Sequence, residues 1–221
     1  YGSLELLDFA NNTFQNNQTA MRIRPDFAHK IAASNQFPNN LNNYVHLMVG
    51  DEIDVDRTWQ ALSIPYRLTA SSGGLFPDQE IIDGATLTLQ PGLIIEFEAN
   101  TGLYIRENAA LNAVGTATQP IRFTGASAVT GFWDGLYFSR TSNPLNQLIH
   151  VELNDAGGDA SIGAISMWAR PKLTLSSVTL RNISGGCAIY DSNGLNAGVV
   201  SNPNYAATDI TFENVGSQYC D

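Results

Sequence analysis

In 221 residues the chain carries 21 acidic and 11 basic side chains, a net charge of −10, with only 14% of its residues charged. That balance excludes nucleic acid and anionic membrane as partners, because both need a positive surface to displace counterions. No apolar run approaches the ~20 residues that span a bilayer, and no Pro/Gly/Ser linker divides residues 1–221 into two domains.

Lys30 and Lys172 are the two lysines. Asn, Thr, Ser and Gly supply the polarity instead, a mix suited to turn-rich β structure held by neutral hydrogen bonds. In chain order, short alternating runs ended by Gly, Asn, Asp or Pro predict strands at Leu4–Phe9, Tyr44–Val49, Glu52–Asp56, Thr86–Leu89, Leu93–Glu98 and Leu103–Arg106. Further strands are predicted at Ile121–Thr124, Leu136–Ser139, Leu148–Asn154, Leu173–Leu180 and Asp209–Glu213. In Leu93–Glu98, Ile95 and Phe97 point one way while Glu96 and Glu98 point the other, the period of two that marks a half-buried strand. Pro25–Ser34 is the one helix-like stretch, with Pro at a plausible first position, but it lies inside a repeat and reads as turn plus strand.

That repeat is the strongest feature of the chain. Asn12-Thr-Phe-Gln-Asn-Asn17 returns as Asn35-Gln-Phe-Pro-Asn-Asn40, 23 residues on. Val151-Glu-Leu-Asn-Asp-Ala-Gly-Gly158 returns as Val178-Thr-Leu-Arg-Asn-Ile-Ser-Gly185 after 27 residues, and as Ile210-Thr-Phe-Glu-Asn-Val-Gly-Ser217 after a further 32. Self-similarity at such periods marks stacked units, each burying its apolar face against its neighbours. Three short strands per unit predict an all-β parallel β-helix, each strand pairing with its equivalent one rung away. The length allows roughly nine rungs along about 40 Å, at ~4.8 Å per rung. An antiparallel sandwich is disfavoured, since two-residue hairpin signals such as Asp83-Gly84 and Asn193-Gly194 are scarce and the self-similarity lies at rung length.

Cys187 and Cys220 lie 33 residues apart, close to the local repeat, so stacking places them one above the other on adjacent rungs. That spacing suits either a disulfide or two buried thiols, and a bridge implies an oxidising compartment. The chain opens on Tyr1 with no Met and no signal peptide, the expectation being a mature form or an excised piece.

Thr86-Leu-Thr-Leu-Gln-Pro-Gly-Leu-Ile-Ile-Glu-Phe97, Leu111-Asn-Ala-Val-Gly-Thr116, Pro120-Ile-Arg-Phe-Thr124 and Trp133-Asp-Gly-Leu-Tyr-Phe138 follow one another in order. This stretch resembles the right-handed parallel β-helix repeat proteins of bacterial cell surfaces and secretomes, with Trp59 and Pro65-Tyr-Arg-Leu68 resembling the lead-in to it. The likeness covers about residues 50 to 155, and the rest by rung pattern. It implies a right-handed coil, export by a bacterium, and packing roles for Trp59 and Trp133.

Candidate chemistry is sparse. Glu96 and Glu98, with Arg106 and Arg122 expected on the next rungs, have the spacing of a glycosidase carboxylate pair but also of any solvated charge ladder. Asp51, Asp54 and Asp56 are weak calcium candidates, without a Gly-bearing ligand loop, and Asp155-Ala-Gly-Gly-Asp159 is another. His29, His46 and His150 are dispersed, and His150 with Glu152 shares an outward face as a dyad would. Trp59, Trp133, Tyr137 and Trp168 are candidate sugar-stacking platforms, and Thr86-Leu-Thr88 has the Thr-x-Thr pattern of an ice-binding array without the regular succession of rungs such an array needs. No cofactor is expected.

The ends are more informative. A β-helix must cover the unpaired N–H and C=O rows of its first and last rungs. Leu4–Phe9 and Ile210–Glu213 both read as rung strands with no amphipathic cap beside them. The expectation is therefore a module cut from a longer array, or one whose ends stack head to tail through Leu4, Leu6, Phe9, Ile210 and Phe212. The sequence predicts a non-catalytic structural or adhesive protein at the bacterial surface, its partners copies of itself or adjacent β-helix modules. The alternative is a carbohydrate-active protein, a polysaccharide lyase, glycoside hydrolase or sugar-binding module.

Overall fold

A computed structural model of the chain describes residues 9–48, 52–69, 79–158, 162–194 and 202–221. Nearly all of its regular structure is strand, and every strand pairing is parallel. In chain order the strands are β1 (Thr19–Ile23), β2 (Asn42–Met48), β3 (Glu52–Ile53), β4 (Arg57–Trp59), β5 (Tyr66–Thr69), β6 (Gln79–Asp83), β7 (Thr86–Leu89), β8 (Ile94–Phe97) and β9 (Gly102–Arg106). There follow β10 (Ala110–Val114), β11 (Ile121–Gly125), β12 (Gly135–Ser139), β13 (Gln147–Asn154), β14 (Ile165–Trp168), β15 (Leu173–Ile183), β16 (Ile189–Asp191), β17 (Tyr205–Val215) and β18 (Tyr219–Cys220).

The chain makes successive passes, each pairing with the one before. One curled sheet holds eleven strands and a second holds seven. Along the first, β1, β2, β5, β8, β11, β13, β15 and β17 form eight levels, where the sequence predicts about nine. From β4 to β12 each pass has three strands, as expected. In the last three passes the first two strands merge into β13, β15 and β17, each bent by a residue in the left-handed region: His150 (φ 49°), Ser177 (53°) and Asp209 (53°). One such residue turns the corner without a loop, so the two predicted strands read as one continuous run.

The sequence repeats are the register. Thr13 bridges Gln36, Val151 pairs with Val178, and Val178 with Ile210. Inward residues stack in columns, the clearest being Val45, Tyr66, Ile95, Phe123, Leu153, Leu180 and Phe212. All of these except Phe212 are buried. Trp133 and Trp59 are likewise fully buried, in packing roles.

Asparagine ladders seal the turns. The Asn35 Oδ1 accepts the Asn12 backbone N–H at 2.9 Å, and its Nδ2 donates to the carbonyls of Phe9 and Ala32, both at 2.8 Å. Asn40 repeats the device one turn on, accepting from the Asn17 N–H and donating to Phe14 and Phe37. Between them Phe14 stacks on Phe37 at 5.6 Å. Asn35→Ala leaves the Asn12 N–H without its acceptor and takes one of two donors from the Phe9 and Ala32 carbonyls, so it is expected to cost about 1 kcal/mol. Hydrogen exchange at the Asn12 amide, compared with amides of β8, is the check.

Pro25–Lys30 is a 3-10 helix, a correction to the predicted turn plus strand. Pro25 at its first turn has φ preset for helix, Arg24 before it is extended as a pre-proline residue must be, and Asp26 and Lys30 sit at the matching ends. The strand that pairs within that pass is β1, upstream of the proline.

Candidate functional site: the carboxy-terminal edge and a lateral groove

β17 is the last strand of the larger sheet among the described residues. Among the described residues its strand neighbour is β15 alone. Beneath it, Leu173, Leu175, Val178 and Leu180 are buried, whereas Tyr205, Ile210, Phe212 and Val215 of β17 are only partly so. Phe212 ends the inward column and meets Tyr219 edge-on at 5.4 Å. The Arg181 guanidinium bonds Glu213 at 2.7 Å and holds its carboxyl below the ordinary range. Cys187 and Cys220 form a disulfide, Cα to Cα 5.9 Å, which ties β18 to the chain just before β16. At the other end Phe9 packs on Phe14 at 5.5 Å. Leu4 and Leu6 lie outside the described residues.

Inside that last turn sits a group the sequence reading missed. Asp191 ends the column of Ile53, Ile82, Ile105, Phe138 and Met167. Its carboxylate is fully buried, with Oδ1 accepting from the Asn193 backbone and side chain while Oδ2 has no hydrogen-bond partner among the described residues. Its position in an Ile-Tyr-Asp alternation was the available signal.

The second feature is a lateral groove of about 270 Å³ lined by Thr116, Pro120, His150, Glu152, Ser177 and Thr179, among others. It arises from a step in corner length. Between β10 and β11 the corner is the loop 115–120, whereas His150 and Ser177 alone turn the same corner in the next two passes. Gly115 is required there, since a Cβ would lie 2.7 Å from the His150 carbonyl oxygen. His150 and Glu152 thus share a groove, as their spacing predicts, but Glu152 is engaged by Arg122 at 2.8 Å.

Glu96 is likewise held by a cation one pass away. Glu96 accepts from Arg67 at 2.6 Å, and Arg67 lies 3.8 Å over the Tyr44 ring. This corrects the expected Glu96, Glu98, Arg106 and Arg122 cluster. Arg122 aligns with Ile94 rather than Glu96, and Arg106 belongs to the other sheet, where it meets Glu52 and Asp83. Beside Arg67, His46 contacts the Thr69 hydroxyl at 2.5 Å, and burial with Arg22 and Arg67 nearby lowers its pKa.

Of the calcium candidates, Asp54 and Asp56 lie exposed in the link between β3 and β4, and Asp51 lies outside the described residues. Asp56 accepts the Thr86 N–H at 2.7 Å. Asp155 is buried and bonds across passes to Thr124 and Asn182, both at 3.1 Å, and Asn214 continues the ladder to Asn182 at 2.9 Å. Asp159 is outside the described residues. Among the described residues no three His, Cys, Asp or Glu side chains converge as a metal set. Tyr137 is buried, and Trp168 is exposed beside Tyr190 at 5.2 Å. Among the described residues no helix is long and apolar enough to cross a membrane. Compared with known proteins, the chain matches no family model, no curated protein and no solved structure.

Proposed function

We propose that the chain is a right-handed parallel β-helix, each pass one rung, serving as a non-catalytic structural or adhesive module outside a bacterial cell. It works by end-to-end association, with copies of itself or with adjacent modules of the same kind. The observation that carries this reading is β17, an eleven-residue edge whose apolar side chains are half exposed over a finished core. A long unpaired edge of this kind pairs with another chain unless something covers it. The disulfide supports an oxidising, extracellular setting. The resemblance of residues 50 to 155 to bacterial surface β-helices supports the rest.

The test is particle size. Negative-stain microscopy and light scattering of the native protein are expected to reveal assemblies, and Phe212→Lys is expected to leave monomers. An intact Cys187–Cys220 bridge in that variant checks that the last pass has not unravelled. Unchanged size in Phe212→Lys would overturn the mechanism.

The groove at His150 favours a second reading, polysaccharide binding or cleavage, because hydroxyls, an imidazole and a held carboxylate are groups that sugars bond to. A screen of acidic polysaccharides for unsaturated products, with and without calcium, separates the two.

A further inference from the structure

The association proposed above leaves open which end meets which. We propose that β17 pairs antiparallel with β17 of a second copy, about a two-fold axis between Thr208 and Asp209, giving a closed dimer.

The edge strand inherits a definite inside-outside order from β15. In β15, Leu173, Leu175, Val178 and Leu180 are buried, while Thr174, Ser176, Ser177 and Thr179 are half-buried. The β15–β17 register carries that order to the edge: Tyr205, Ala207, Ile210 and Phe212 stand over the core, and Ala206, Thr208 and Thr211 do not. Asp209 stands over Ser177 and shares its left-handed corner conformation, so two successive residues, Thr208 and Asp209, fall on the outer side. Read from Tyr205 to Phe212, the pattern is therefore the same in both directions.

Opposite residues of an antiparallel pair must share a face. With the axis between Thr208 and Asp209 that condition holds at every position. Tyr205 meets Phe212 of the second copy, Ala207 meets its Ile210, Ala206 its Thr211 and Thr208 its Asp209. Both aromatic rings close over the core, and a small residue faces a branched one. The bend in one strand also coincides with the bend in the other.

Head-to-tail stacking fits this edge less well. Among the described residues, the opposite end presents on the same two sides the bridge residue Thr13 and the five-residue β1. Residues 14–18 separate them, where β17 turns on Asp209 alone. Among the described residues, the one edge that matches β17 in length and corner is β17 itself. Eight paired residues in each copy, Tyr205 to Phe212, make about eight inter-strand hydrogen bonds, within the range a stable interface carries. Charge is compatible as well: Glu213 falls opposite Asn204 rather than its own copy, and the like-charged approach is the pair of Asp209 carboxylates flanking the axis. An isologous contact of this kind uses up both edges and stops at two chains.

The test uses the chain as it stands. Sedimentation velocity across concentration is expected to give monomer and dimer with nothing larger. Thr208→Cys is expected to cross-link to itself under mild oxidation, since the axis brings it within disulfide reach of its own copy, whereas Thr118→Cys, exposed on a turn, is not. Asp209→Asn is expected to tighten the dimer about threefold by removing the repulsion. Open-ended growth without Thr208→Cys cross-linking would overturn this inference and leave end-to-end association standing. A monomer at every concentration would overturn this inference and every form of self-association proposed above.

Discussion

Trp133→Ala is expected to lower stability by about 3–5 kcal/mol, the largest loss available from a single side chain here. The indole is fully buried and lies flat on Phe97, ring centroids 3.9 Å apart and planes 7° apart. Phe97 in turn touches Phe123 at 6.3 Å, so a cavity at Trp133 unseats part of the inner columns of two neighbouring passes. The indole Nε1 also donates to the Asn154 carbonyl at 2.7 Å, and its loss leaves that acceptor without its partner. Trp133→Phe keeps most of the apolar contact and loses the hydrogen bond, so it is expected to cost well under half as much. Denaturant midpoints of the three proteins, with slopes compared to confirm that the unfolding unit is the same, measure this. Equal losses for Ala and Phe would mean that the bond to Asn154, and not the stacking, carries the effect.

That residue illustrates what could be read from the chain beforehand. The stacking register was legible because a parallel pairing repeats the same chemical demand at each level. Asn12 and Asn17 are followed by Asn35 and Asn40, and Val151 by Val178 and Ile210, at the offsets that the Cα pairings follow. Period-two alternation likewise located β7, β8, β11 and β13 to within a residue or two. Strands as short as β4, β16 and β18 carry too few residues to show any period. The charge pairs were not legible because the passes differ in length. Arg67 reaches Glu96 across 29 residues, Arg122 reaches Glu152 across 30 and Arg181 reaches Glu213 across 32, so no single spacing predicts them. The groove was hidden for a related reason. It depends on a corner shrinking from a loop to one left-handed residue, and His150 and Ser177 look like ordinary strand residues when read along the chain. Of β17, the apolar alternation of Ile210 and Phe212 is legible along the chain. The symmetric order around Thr208 needed the register with β15.

Removing the disulfide by a double Cys187→Ala and Cys220→Ala change is expected to cost about 3–4 kcal/mol, and to cost it locally. The bridge closes a loop of 33 residues that contains β16, β17 and β18, the whole of the last pass. β18 pairs with β16 at two residues only, Tyr219 with Ile189 and Cys220 with Tyr190, too few to hold the pass closed unaided. In a stacked array stability is close to a sum of nearest-neighbour terms, so a loss at the terminal pass does not spread to passes it does not touch. Hydrogen exchange is therefore expected to accelerate across β17 and β18 while β7 to β12 keep their protection. The same variant reports on assembly: if the β17 edge is the interface, a last pass that frays also loses its partner, and particle mass falls with the protection. Uniform loss of protection along the chain would mean that the passes unfold as one unit. Unchanged mass together with a frayed β17 would move the interface away from the carboxy-terminal edge.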